Sequence, residues 1–328
     1  MRERPFDDTG VSVSEIGLGA WQLGGAEWGE VSKEDSLLTL QAAVENGIDF
    51  FDTADVYGLG RSEELIGKFL RDSTEKIFVA TKLGRFPNPG WPQNFSLDAF
   101  RAHAEASLRR LGVEVLDLIQ LHCLPIELLR QGEVFEWLRQ LRQEGKIRHF
   151  GVSVESMEEA QISLEQPDLT SLQIIFNIFR QKPIAALFDQ AQVKKVALII
   201  RLPLASGLLS GRYTKETKFP ERDHRTFNRN GESFNVGETF AGLPFETGVE
   251  LTGTLKSLVP EGMTMAQMAL RWILDFEPVS VVIAGARNAL QVAGNAQASD
   301  LPPLSRELHK KLKSFYEEEV AMNIRGPY

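Results

Sequence analysis

The sequence predicts a closed (β/α)8 barrel, a TIM barrel, as one domain over residues 1–328. Strand-like runs alternate with amphipathic helical segments, which implies a parallel sheet. Eight such strands can be laid out, each followed by a helix, and that number favours closure over an open sheet. The third observation is chemical. Asp52, Tyr57, Lys82 and His122 stand at or just past the ends of successive strand runs. In a parallel barrel those C-terminal ends converge on one rim.

The elements follow in order. Phe6 to Ile16 reads as a short N-terminal hairpin plugging the barrel bottom. Ser32 is an N-cap with Asp35 three residues on, Leu37, Leu40 and Val44 share one helical face, and Gly47 stops the helix. A strand over 48–52 leads to a helix from Ser62 to about Leu70 and a strand over 77–82. Ser96 opens a helix with Phe100, Ala104, Leu108 and Leu111 along one stripe, and Gly112 ends it. Strands over 116–122, 147–154, 171–177 and 196–201 alternate with helices from Val134 to Gly145, Ser156 to Leu164 and Ile184 to Val193. Residues 212–245, after the seventh barrel strand, carry no period, and so long a loop reads as a mobile lid or as disorder. Helices at 247–258, 265–274, 288–298 and 305–320, with a strand at 279–283, complete the pattern.

Composition narrows the function. With 43% hydrophobic and 25% charged residues, the chain has the material for a large core. A net charge of -9 argues against a nucleic-acid-binding surface. The single cysteine, Cys123, allows no intrachain disulfide and no cysteine-based zinc site, so no metal is expected. No apolar run approaches the roughly 20 residues of a membrane span, and the N-terminus lacks a signal-peptide core. A cytoplasmic protein is the expectation. Gly17, Gly19 and Gly24 are spaced G-x-G-x-x-x-x-G, which is not the dinucleotide fingerprint of an open α/β sheet.

A phenol, an ammonium, a carboxylate and an imidazole on one rim make a proton-donating site, the equipment for reducing a carbonyl. Tyr57 is the candidate acid. A phenol with a pKa near 10 is a poor donor at neutral pH, and a neighbouring cation lowers it. Lys82 is expected to supply that cation, Asp52 to hold Lys82 charged, and His122 to orient the carbonyl oxygen. Taken singly, each residue has an ordinary structural reading. Their weight lies in four complementary groups on successive strand ends.

The stretch Phe51-Asp52-Thr53-Ala54-Asp55-Val56-Tyr57-Gly58, followed by Ser62-Glu63-Glu64-Leu65-Ile66-Gly67, resembles the second-strand signature of the aldo-keto reductase family. Lys82 and His122 match its other two active-site positions, and the resemblance continues to about residue 300. It implies a catalytic tetrad of Asp52, Tyr57, Lys82 and His122 on a barrel that binds NADP(H) across its rim. The resemblance also implies the cofactor contacts. Ser153 and Gln173 match the carboxamide-binding positions, though Val154 replaces the usual Asn. Arg201 stands where a tyrosine usually stacks on nicotinamide, and a guanidinium can stack on the reduced ring. The stretch from Ala205 to Arg212, with Ser206, Gly207, Leu209 and Gly211, resembles the pyrophosphate loop, with glycines that allow close backbone approach, and Leu202 and Leu204 just before it are further cofactor candidates. Gly285, Arg287, Gln291 and Asn295 resemble the adenosine-phosphate site, where Arg287 is the partner for a 2′-phosphate. Ala284 and Gly294 replace the usual Pro and Glu there.

Trp21, Trp28, Trp91 and Phe86 are candidate walls of a pocket for a small-molecule aldehyde or ketone. Phe227, Phe234 and Phe240 of the long loop are candidates to close over the cofactor, and the tail from Met322 to Tyr328 to line the pocket. The expected function is reduction of a carbonyl by hydride transfer from NADPH, with Tyr57 as general acid. An NADPH-sensing regulatory subunit on the same fold, and NAD⁺-linked oxidation of a sugar or alcohol, are the competing readings.

Overall fold

A computed structural model describes residues 1–29 and 31–328. The hairpin pairs β1 (Glu3–Pro5) with β2 (Ser12–Ser14). The barrel is formed by β3 (Ile16–Gly19), β4 (Phe50–Asp52), β5 (Phe78–Leu83), β6 (Leu116–His122), β7 (Ile147–Ser153), β8 (Ser171–Ile175), β9 (Ala197–Arg201) and β10 (Val279–Gly285). Each strand pairs in parallel with the next, and β10 closes on β3 with Gly285 opposite Gly19. The expected (β/α)8 barrel is the observed one.

The strand interior is layered. Phe50, Ala80, Leu118, Ile199 and Val281 form an apolar floor, and Phe6 and Val13 of the hairpin seal it from below. Phe6 packs its ring 5.6 Å from Phe50 and 5.1 Å from Phe78. Side chains on a strand face one way every second residue. Two residues beyond the floor, the same strands carry Asp52, Lys82, Gln120 and Arg201. A polar layer therefore caps an apolar one, at the rim where the strands end.

Caps place the helices as the sequence indicates. Ser32 accepts from the Asp35 amide, Ser96 accepts from the Ala99 amide, and Gly112 ends the Leu97–Leu111 helix with φ 69°. Two of the expected helices are interrupted. The helix expected over 184–193 is broken into Pro183–Ala186 and Phe188–Lys194, because Leu187 leaves helical geometry at φ -137°. The last helix changes at Tyr316 to a wider winding through Val320.

Residues 212–245 are ordered against the barrel. A turn of helix at His224–Phe227 and short tight turns at Val236–Glu238 and Phe240–Gly242 punctuate them. Asp223, His224, Asn228, Glu238 and Phe240 are all buried. Phe240 joins the core beside Phe219 and Phe245 instead of facing a ligand. The C-terminal tail also departs from expectation. Tyr328 lies under the Arg180 guanidinium, its hydroxyl accepts from the Lys182 amide, and Arg325 donates to Gly242 O. The tail braces the strap across the rim and does not line the cleft.

Candidate active site

Lys82 is fully buried on β5, and its ammonium has three partners. It donates to Asp52 Oδ1 at 2.5 Å, to Thr53 O at 2.8 Å and to the Tyr57 oxygen at 3.3 Å. The second oxygen of Asp52 accepts from Gln173 Nε2 at 2.7 Å and from Gln120 Nε2 at 3.2 Å. The His122 ring meets the Tyr57 ring edge-on at 5.8 Å. All four residues expected at the rim are thus brought together around the phenol.

The electrostatics correct one expectation. Burial, with Asp52 and Glu238 behind it, pushes the Tyr57 pKa well above its usual value and outweighs the nearby cations Arg201 and Arg85. The neighbouring cations do not bring Tyr57 below its usual pKa in the ligand-free chain. The phenol is held protonated. Because its oxygen already accepts from Lys82, its proton points elsewhere. Burial, with Arg85 and Lys82 adding to it, holds His122 well below its usual pKa, so the imidazole is neutral. Its Nδ1 has no hydrogen-bond partner among the described residues.

A cleft of about 730 Å³ runs along the rim from Asp52, Tyr57 and Gln173 to Asn295 and Gln297. Trp21 and Trp28 wall the tetrad end. Trp21 stacks on Tyr57 at 5.8 Å and meets the edge of Trp28 at 5.4 Å. His224 of the strap packs against both indoles at 4.9 and 4.4 Å. Phe234 reaches Trp21, and Phe227 meets the edge of Phe234 one ring further out.

Most expected cofactor residues line this cleft, namely Gln173, Arg201, Leu202, Leu204, Ser206, Gly207, Gly285, Arg287, Gln291 and Asn295. Leu202, Ala205, Ser206 and Gly207 all have positive φ, so the loop after β9 is tightly coiled. Such strain in non-glycine residues gathers at ligand sites. Three of the expected residues lie off the cleft. Leu209 is buried in the core with its amide on Leu204 O. The Gly211 amide is spent on Leu208 O, and a Cβ added there would meet Met265 Sδ at 3.3 Å. Ser153 sits behind Gln173, 3.5 Å from its Oε1, and does not line the cleft. Even Gly207 turns its amide inward, to Leu204 O, so it offers room and not a donor.

Among the substrate candidates, Phe86 turns away. It packs on His103 and under Arg110, because its loop folds back over the helix that carries both. Trp91 is exposed and touches Phe95.

The sequence reading missed a second ring of charge. Arg85 donates to Glu155 at 2.9 Å and to Glu238 at 3.0 Å. Arg201 pairs with Glu238 at 3.2 Å and donates to Val154 O at 3.1 Å. Burial and contact with Glu238 raise Glu155 to about 8, while Arg85 and Arg201 hold Glu238 well below its usual pKa despite its burial. Cys123, Glu155 and Glu238 bring ligand-type atoms within 4.8 Å. Both carboxyl groups are already bound by guanidinium groups, and the two guanidinium groups outnumber the one ionised carboxylate, so this cluster does not call for a further cation. Gln120 was missed as well. Its only sequence signal was its place two residues before His122, on the same inward face.

Polar atoms without partners mark where a ligand belongs. Gln22 Oε1, Trp28 Nε1 and Arg201 Nε are buried, have no hydrogen-bond partner among the described residues and belong to residues that line the cleft. Arg212 and Arg287 line it further out. These are donors and acceptors for a polar, anionic, extended molecule in an otherwise acidic protein.

The aldo/keto reductase family model matches residues 15–317. The chain belongs to the aldo/keto reductase family. This aldo/keto reductase is 30% identical to the aldo-keto reductase YhdN of Bacillus subtilis, over 100% of the chain and 97% of that protein. It is 27% identical to the aldo-keto reductase yakc [NADP(+)] of Schizosaccharomyces pombe, over 96% of the chain and 92% of that protein. The solved glycerol dehydrogenase AKR11B4 from Gluconobacter oxydans superposes with TM-score 0.77 at 29% identity, covering 99% of this chain and 98% of that one. As a member, the protein is an oxidoreductase of a family that uses a nicotinamide cofactor. The orphaned polar atoms and the cations of the cleft fit such a group.

Proposed function

We propose that this aldo/keto reductase reduces an aldehyde or ketone with NADPH, and that Tyr57 donates the proton. One observation carries the reading: the Tyr57 oxygen accepts from Lys82 Nζ at 3.3 Å, so the hydroxyl proton is free to point at a carbonyl in the cleft. Bound along the cleft, the reduced nicotinamide supplies the hydride. Tyr57 then gives its proton to the oxygen as negative charge develops, a role worth about 10²–10⁴ in rate. The Lys82 ammonium faces the phenolate left behind and stabilises it. Asp52 keeps that ammonium charged in a site that excludes water. His122, neutral, donates to or orients the same carbonyl oxygen.

Gln173, whose Nε2 rests on Asp52 in the ligand-free chain, lines the cleft and offers its amide to the carboxamide. Arg201 would stand beside the ring, Ser206 and Gly207 would give the pyrophosphate room, and Arg212, which also lines the cleft, is a cation for it. Arg287, with its amide held by Gln291 Oε1, reaches for the 2′-phosphate. The name of the Schizosaccharomyces relative supports NADP(H).

The glycerol dehydrogenase neighbour favours a second reading, alcohol oxidation on the same groups. Charge argues for reduction. With Glu155 protonated at neutral pH, Arg85 and Arg201 face one ionised carboxylate, Glu238. An excess cation beside the ring favours its uncharged, reduced form. The test is NADPH and NADH consumption against a panel of aldehydes, with Tyr57→Phe as control. Full turnover in that variant removes Tyr57 as the acid. Tight cofactor binding without turnover on any carbonyl would favour the regulatory subunit.

A further inference from the structure

We propose that Gln120 is a positioning residue for the reduction, acting on Asp52 and through it on the Lys82–Tyr57 pair. The inference rests on the proposed tetrad and deepens it.

Gln120 is fully buried and does not line the cleft, so it touches neither cofactor nor substrate. It stands opposite Lys82 in the β5–β6 register and opposite Gly151 in the β6–β7 register. Its amide nitrogen donates to Asp52 Oδ2 at 3.2 Å, and its Oε1 faces Gln173 Nε2 at 3.5 Å. Asp52 is 2% exposed and receives three donors: Lys82 on Oδ1, and Gln120 and Gln173 on Oδ2. A buried carboxylate stays ionised only when its lone pairs are met in this way. With both amides on Oδ2, the carboxylate cannot rotate Oδ1 off the lysine.

Gln173 cannot hold that geometry alone. It lines the cleft, and a bound carboxamide will compete for it. Gln120 is sealed from such competition. It therefore keeps Asp52 fixed while Gln173 exchanges partners.

The expected signature is a pH effect. Gln120→Leu removes one donor from the Asp52 carboxylate and loosens its hold on Lys82, so the proton handling at Tyr57 changes with it. The acid limb of the kcat profile should move up by about one pH unit. At neutral pH kcat should fall about 10-fold while KM for NADPH stays within about 3-fold. Gln120→Glu keeps the shape and adds a second acid. Its protonated carboxyl can donate to Asp52, so that variant should retain activity at low pH and lose it as pH rises.

The experiment is kcat and KM for NADPH and one accepted aldehyde across pH 5–9, in wild type and both variants, with thermal unfolding alongside. Wild-type turnover without a Tyr57→Phe effect faults the tetrad reading, not this one. An unmoved acid limb in Gln120→Leu, with wild-type turnover normal, overturns the positioning role. So does a loss of melting temperature with no change in pH profile. If Gln120→Leu does not fold, Gln120→Glu decides: a profile identical in shape to wild type overturns the proposal.

Discussion

Arg201 Nη1 lies 3.2 Å from Glu238 Oε2, so the end of the seventh barrel strand is ion-paired to the strap that crosses the rim. Glu238 also receives Arg85 Nη2 at 3.0 Å. One carboxylate thus pins the strap to two strand-end loops, beside Tyr57 and His122.

Glu238→Ala leaves Arg201 buried without its ion partner. Removing one member of a buried pair costs about 3–5 kcal/mol. Urea unfolding should show a loss of that order, and amides in 223–242 should exchange faster than in wild type. Unchanged exchange there would mean that the strap is held by its aromatic contacts instead.

The strap's second anchor is acid-sensitive. Burial between Trp21 and Trp28 holds His224 at about 4, against 6.5 for the free side chain. The unfolded chain binds this proton more readily, so the neutral ring's contribution is complete above pH 6.5 and is lost as pH falls toward 4. The group accounts for roughly 3 kcal/mol over that window. His224→Phe should show an acid loss smaller by roughly 2 kcal/mol when urea unfolding at pH 7 is compared with pH 4.5. Equal losses in both proteins would remove His224 as the cause.

Glu155 works in the opposite sense. Its carboxyl is raised to about 8 from 4.5, so the folded chain keeps a proton that the unfolded chain releases. Its effect is to lower stability as pH rises from 4.5 to 8. Gln at this position keeps a donor for Glu238 and cannot ionise. Glu155→Gln should therefore match wild type near pH 4.5 and exceed it by roughly 1–3 kcal/mol at pH 8.5. A constant difference across that range would sink the assignment.

Arg287 lies exposed at the outer end of the cleft, its guanidinium near the Gly29 backbone. An exposed cation contributes less than a buried one. Arg287→Ala should weaken NADPH binding by about 10-fold and leave NADH binding within error. Calorimetric titration with both cofactors checks this, and equal weakening would mean that Arg287 does not read the 2′-phosphate.

The strand ends were legible because period-two burial is written into a few consecutive residues. Asp52, Lys82 and His122 each interrupt an apolar run, and an interruption at a strand end is visible without knowing the fold. Gln120 obeys the same period but sits inside its run, so it read as strand. Glu238 lies in a stretch with no period, and nothing local distinguished it from the polar residues around it. Phe86 and Leu209 were misplaced for a related reason. A loop's direction depends on what it packs against, and their loops turn onto Arg110 and into the core.

By itself the sequence determined the barrel and the chemistry gathered at its rim, because backbone periodicity fixes which face each strand residue takes. Only the tertiary structure decided which groups share a proton or a charge. Gln120 and Asp52 are 68 positions apart, and Arg85 and Glu238 are 153 apart. Contacts of that range exist only after the barrel closes, and burial at closure sets the protonation of Tyr57, His122 and Glu155.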